Sequence, residues 1–216
     1  MLAGLPVDPG EPMLARLRGL DAELASHTGD PIDRLRVGIV AVLARSGDAA
    51  SLAHLRSIYQ NEPERRATVA MGLTLHANAT HWPFLVDSLN IVEGPVAAEV
   101  LAALLKVDQI PDHPASYRRL ILLGLRSHGP TARRVIELLE HWSGQVFAKD
   151  TNNSREELAT WQDWYANQFS EAPPATLPTA DSDAKWTAAE LLAYLQTGPG
   201  KTGDPVHGGT VFQKSQ

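Results

Sequence analysis

Eight histidines and no cysteine set the range of chemistry open to this chain of 216 residues. Without thiols there is no disulfide and no thiolate metal site, so a metal would have to rest on imidazole and carboxylate. His76 and His81 stand five residues apart, but the break at Asn78-Ala79-Thr80 separates them and no carboxylate falls at a ligand spacing beside them. They read as surface or capping histidines. His113 precedes a proline and His207 lies in a glycine-rich turn, both ordinary loop positions. The carboxylate pairs Glu137 with Glu140 and Glu156 with Glu157 could in principle share acid and base work. On helix faces and first turns such residues solvate the surface or complement the helix dipole, and that is the reading adopted for them. Gly198 to Thr202 spells G-P-G-K-T, but a phosphate loop needs a further glycine where Leu195 stands and must follow a strand. It reads instead as a helix-ending turn with Gly198 just past the last residue. Ser143-Gly144 lacks the glycines of a nucleophile elbow. From their own types and spacing, no residues are assigned as catalytic, cofactor-binding or metal-binding.

The tryptophans carry more information. Trp142, Trp161, Trp164 and Trp186 lie in the second half, and Trp161, Trp164 and Tyr165 share one side of a helix. The spacing predicts that they dock this helix on the preceding ones, with a protein-binding patch as the alternative.

Composition narrows the partners. A formal net charge of −6 argues against nonspecific nucleic-acid binding, which needs clustered cations. The pairs Arg65-Arg66, Arg118-Arg119 and Arg133-Arg134 are far apart and read as solvated helix sides. A hydrophobic fraction of 44% with 20% charged residues is that of a globular protein. No apolar run approaches the roughly 20 residues that span a bilayer. The opening MLAGLPVDPGEP has neither a basic region nor an apolar core, so it is not a signal peptide, and a cytoplasmic location is expected unless a leader lies upstream.

The elements that must position these residues are helices. Leu35, Ile39, Val42 and Leu43 recur at helical spacing, as do Leu52, Leu55 and Ile58, then Val69, Leu73 and Leu75, then Leu85 and Leu89. Val96, Val100, Leu101, Leu104 and Leu105 continue the series, followed by Leu120, Leu123 and Leu125, and by Val135, Leu138 and Leu139. Breaks fall at residues 46–48, 78–80, 93–95 and 128–130, with Pro95 and Pro130 suited to first turns. Shifting the chain by 30 residues lays Leu43 on Leu73, Asp48 on Asn78 and Leu55 on Leu85. Asp48 and Asn78 are both good N-caps, so each is expected to start the second helix of a pair. The predicted fold is therefore all-α, an α-solenoid of short HEAT-like helix pairs with a C-terminal helical extension.

Residues 1–32 form the expected N-terminal cap or linker, with a helix from Met13 to Ala25, and 33–145 the repeats. Gln109 to Ala115 reads as an inserted loop. Residues 146–200 form a helical junction with a Pro-rich spacer. In it Ser154 and Glu157 make a capping box and a further helix runs from Thr187 to Gln196. Residues 201–216 complete the chain.

Read in order, these features are familiar. HEAT-like repeats lead to His141-Trp142-Ser143-Gly144-Gln145, then to Trp161-Gln162-Asp163-Trp164-Tyr165, a Pro-rich spacer and Glu190-Leu191-Leu192. Gly203-Asp204-Pro205, Gly208, Val211-Phe212 and Lys214 follow. The chain resembles the C-terminal half of large secreted planctomycete-type proteins described as HEAT-repeat, haem-binding or membrane-bound dehydrogenase-type. That resemblance implies a sugar-dehydrogenase-like β-propeller before the repeats and a cytochrome c domain after them. Residues 201–216 would be the truncated start of the cytochrome domain, with Gly208 and Phe212 packing its first helix. Its Cys-x-x-Cys-His would begin just past Gln216, so haem c belongs to the parent family and no cofactor is expected in this chain. His207 is not read as an axial ligand, since that role needs a haem held nearby.

The expected function is a scaffold or interaction region for a protein partner or for adjacent domains of one polypeptide. No nucleic acid and no membrane span are expected. By resemblance the location is periplasmic or secreted. The competing readings are a stand-alone protein-binding adaptor and a HEAT-type lyase; the lyase would need carboxylates and a histidine converging on the concave face. Because the rest of a cytochrome domain would be missing, the segment from Gly198 onward is expected to pack poorly.

Overall fold

Prolines open most of the helices. A computed structural model describes residues 9–147 and 153–177, and among these all regular structure is helical. The chain divides into two units, Met1–Leu177 and Pro178–Gln216, and every described residue belongs to the first. The helices are α1 (Glu11–Leu24), α2 (Asp30–Ser46), α3 (Ala49–Asn61), α4 (Arg66–Leu73) and α5 (Trp82–Ser88), then α6 (Gly94–Lys106), α7 (Pro114–Arg126), α8 (Pro130–Ser143) and α9 (Ser154–Gln168). Short 3-10 turns at Pro63–Arg65 and Thr74–His76 flank α4. A proline stands in the first turn of α1, α2, α5, α6, α7 and α8, where its missing N–H leaves no bond unmade and its fixed φ suits the helix.

The cap expected at Asp48 is present: its carboxylate accepts from Ser51 N–H at 2.9 Å. Asn78 behaves differently. Its side chain accepts from His81 N–H at 3.1 Å, the same three-residue reach, but α5 begins only at Trp82. Asn78 therefore fixes a turn that leads into the helix. The α9 cap is also displaced by one. Asn153 is the cap: its side-chain oxygen accepts from Arg155 N–H and its side-chain amide donates to Glu156, so the cap lies one residue before Ser154.

Helices two apart in sequence pack together. α2 lies against α4, α4 against α6 and α6 against α8, while α1 meets α3, α5 meets α7 and α7 meets α9. Between these sets lies one continuous core in which Leu43, Leu55, Leu73, Leu85, Leu101, Leu120 and Leu139 are fully buried. Most apolar positions of the helical pattern are in it. Leu75 is not: it falls in the 3-10 turn after α4, where the changed pitch rotates it outward to 61% exposure. At the α7–α8–α9 junction a Cβ on Gly124 would come within 2.7 Å of Leu158 and 2.8 Å of Val135, so glycine there sets how closely the three helices approach.

Candidate functional site

Asp21 is a carboxylate on the buried side of α1, 1% exposed, and it gathers polar side chains from three other segments. The 3-10 turn Pro63–Arg65 delivers Arg65, whose fork donates to both Asp21 oxygens at 2.9 and 3.1 Å. From α2, Arg36 Nε donates at 3.3 Å, and from α3 His54 Nε2 approaches the other oxygen at 3.3 Å. Glu62 closes the set, with ion pairs to Arg36 at 2.8 Å and Arg65 at 3.1 Å. Two carboxylates, two guanidiniums and an imidazole thus share a site between α1, α2 and α3.

Burial by itself raises the Asp21 carboxyl. The hydrogen bonds from His54 and Arg65 and the charges of Arg65 and Arg36 outweigh it and hold the pKa at about 2. A group so firmly ionised, with both oxygens occupied, has no proton to give near neutrality and no free lone pair facing solvent. Its chemistry is that of a staple. The paired arginines read as solvated helix sides behave otherwise as well. Arg65 is 8% exposed inside this cluster, and Arg66, Arg118 and Arg134 donate to the carbonyls of Tyr59, Pro174 and Ala98.

A second polar set lies beyond Ala44. His76 Nε2 donates to the Ala44 carbonyl at 2.7 Å, an α2 acceptor left open where that helix ends. Gly47, at φ 68°, is the left-handed residue that ends α2, and a Cβ there would strike the His76 ring at 2.4 Å. His81, 1% exposed, donates from Nδ1 to the His76 carbonyl at 2.7 Å, which leaves Nε2 to accept from Arg56 at 3.0 Å. Burial, with the nearby Arg56 and His76 charges, pushes the His81 pKa down against the opposing pull of the carbonyl. The folded state therefore resists protonation that the unfolded state accepts. The stability this contributes is complete above the unfolded value near 6.5 and declines as pH falls below it. Urea midpoints at pH 7.5 and 5.5 will show the loss, and His81→Gln will shrink it; an unchanged pH dependence in that variant would sink the assignment.

Neither histidine is brought to a carboxylate. Among the described residues, no group of three or more histidines and acids is placed to hold a metal ion. No protein-family model, curated protein or solved structure matches the chain. The site therefore has to be read from its own geometry.

On α3, α5 and α7 the Tyr59 hydroxyl donates to Asp87 at 2.9 Å, and Arg119 pairs with the same carboxylate at 3.3 Å. Burial raises the Tyr59 pKa, and the adjacent Asp87 charge adds to that. Arg66 lies over the Tyr59 ring at 5.6 Å. A cleft runs between the turn Ser127–Gly129 and the start of α9, lined by His128, Asn153, Ser154 and Arg155. His128, Asn153 and Arg155 are exposed there, Ser154 is half-buried at the start of α9, and Asn153 is already engaged as its cap.

The aromatic residues go inward. Trp161, Tyr165 and Trp142 are at most 2% exposed, and Trp164 is half-buried among Tyr117, Trp161 and Phe169. Tyr117 ties α7 to α8 by donating to the Trp142 carbonyl at 3.0 Å. This is docking of α9 on the preceding helices, as the i, i+3 pattern predicts. Gly208 and Phe212, together with Trp186, His207, the helix expected at Thr187 to Gln196 and the turn at Gly198 to Thr202, lie outside the described residues. The Asp21 cluster has no sequence signal, since its five members are scattered from 21 to 65 and none has a motif spacing. A buried-face position occupied by a lone acid on α1 is the one local hint.

Proposed function

We propose that the chain is a short α-solenoid of HEAT-like helix pairs that serves as a scaffold or interaction region. The observation that supports this best is the spacing of seven of its cross-helix bonds. Arg18 with Ser51, Asp21 with His54, Arg56 with His81, Tyr59 with Asp87, Ala44 with His76, Ala98 with Arg134 and Leu89 with Arg126 join residues 25 to 37 positions apart. Each bond links a helix or the turn that follows it to an element one pair away, which is how stacked repeats of about 30–40 residues touch. The HEAT-type lyase reading has less support, because the convergent set of acids and histidine found among the described residues is already neutralised by Arg36 and Arg65.

In a stacked array each pair leans only on its neighbours. Leu139→Ala in α8 removes a fully buried side chain and is expected to cost about 2–5 kcal/mol locally. Native-state hydrogen exchange will then show faster exchange across α7 to α9 with α1 to α3 unchanged. Equal loss at both ends would indicate a closed globule and overturn the solenoid. The lineage is a separate matter. It rests on the resemblance to haem-binding, dehydrogenase-type HEAT proteins, in which such a region would hold a dehydrogenase and a cytochrome c domain in relation to each other at a periplasmic or secreted location. An in-frame or frameshifted Cys-x-x-Cys-His codon series in the DNA beyond Gln216 supports it; unrelated sequence there removes it and leaves the adaptor.

A further inference from the structure

The arginines around Asp21 are balanced by acids, but a second group of arginines is not. Arg56 donates to the ring of His81 at 3.0 Å, and Arg66 to the Tyr59 carbonyl at 2.9 Å. Arg126 donates to the Leu89 and Asn90 carbonyls, both at 3.2 Å. These acceptors are neutral, so they satisfy N–H groups without cancelling charge. Arg119 alone of the four has an ion pair among the described residues, with Asp87 at 3.3 Å. That carboxylate also accepts from the Tyr59 hydroxyl.

The four share one surface. Arg56 and Tyr59 stand three residues apart on α3, where they meet His81, just before α5, and Asp87 in its last turn. Arg119 and Arg126 are seven residues apart on α7, two turns and about 10 Å along one side of the helix. They reach Asp87 and the two carbonyls that follow it. Arg66 lies over the Tyr59 ring. A row of guanidiniums therefore crosses α3, α5 and α7, with Arg126 exposed and the other three half-buried. The chain as a whole carries a formal charge of −6, so the row is a positive patch on an acidic molecule. Such a patch draws an acidic partner to this face, while the rest of the surface repels it. A nucleic acid fits less well, because its unbroken run of phosphates must also face the acidic remainder.

We propose that the α3–α5–α7 face docks an acidic, carboxylate-bearing segment of a partner protein. It rests on the scaffold reading above and gives that partner a chemistry. A guanidinium has five N–H donors, so each arginine that holds a carbonyl or an imidazole keeps others for an incoming carboxylate.

Fluorescence anisotropy of a labelled octaglutamate peptide, titrated with the full chain at low salt, tests this. Saturable binding is expected, and it weakens as salt is raised. Arg56→Gln and Arg119→Gln remove charge but keep an N–H donor. Each should raise the Kd about threefold, and the two together about tenfold. Asp87→Asn keeps an acceptor for Tyr59, removes the opposing charge and should lower the Kd about threefold. Arg34→Gln makes the same change in net charge on α2, where Arg34 pairs with Asp30, and should leave the Kd unaltered. No binding at a chain concentration of about 1 mM overturns the proposal. So does equal weakening by Arg34→Gln and Arg119→Gln, or tighter binding of a single-stranded oligonucleotide with eight phosphates. The exchange response to Leu139→Ala keeps the two readings apart. A chain that responds locally but binds no peptide loses only this face, whereas loss at both ends strikes the scaffold.

Discussion

Asp21→Ala is expected to lower the unfolding free energy by about 3–5 kcal/mol, the largest effect of any single polar substitution in this fold. The carboxylate compensates two guanidiniums that are 7% and 8% exposed, and removing it leaves them to share Glu62 alone. Arg65 Nε already lacks a partner among the described residues, and the remaining acceptor beside the fork is the uncharged Arg36 carbonyl at 3.3 Å. Urea denaturation followed by circular dichroism measures the loss. The sign of the pH dependence follows from the Asp21 pKa near 2 against an unperturbed 3.8. The folded-state value is depressed, so the contribution is full above about pH 4 and disappears as pH falls through 2. It amounts to on the order of 2 kcal/mol. Replacing the set together, with Asp21→Leu, Arg36→Met and Arg65→Met, should recover most of what Asp21→Ala loses, because buried ion pairs seldom outperform well-packed apolar groups. A triple variant as unstable as the single one would mean that Asp21 acts through something other than charge compensation.

Trp142→Ala comes next, at about 3–5 kcal/mol. The ring is 2% exposed and packs between Trp82, at 6.2 Å between centroids, and Tyr117, at 5.9 Å. Its loss opens a cavity where α5, α7 and α8 meet and loosens α9, whose Trp164 and Phe169 stack on the same Tyr117. Trp142→Phe separates size from polarity. The indole N–H is buried without an acceptor among the described residues, so its removal relieves a desolvation penalty and offsets part of the lost volume. Thermal unfolding should therefore rank wild type and Phe close together and Ala far below. A phenylalanine variant as unstable as the alanine one would show that the N–H is satisfied.

Helices were legible because their signals are local. Leu43, Leu55, Leu73 and Leu85 lie at the spacing of one buried stripe per helix, and all four are fully buried. Prolines marked starts for the same reason, since a fixed φ and a missing N–H act within one turn. The misreadings also have local causes. At Leu75 the chain has passed from α to 3-10 geometry, which shifts the face that a fixed period assigns, and after Asn78 a turn intervenes before α5 begins at Trp82. Arg65 looked like a solvated residue because nothing within a few positions of it announces Asp21, 44 residues earlier. Polar cores are built from long-range pairings, and periodicity is blind to those.

The unequal helix lengths have a mechanical meaning. α4 and α5 hold eight and seven residues, too few to stand as helices in water, while every other described helix has 13 to 17. Two arginines tie the ends that flank them: Arg66 on the last turn of α3, and Arg126 on the Leu89 and Asn90 carbonyls after α5. The shape of α4 and α5 is therefore held from outside: Val69, Leu73 and Leu85 are fully buried against the neighbouring helices, and the two guanidinium groups close the ends of the segment.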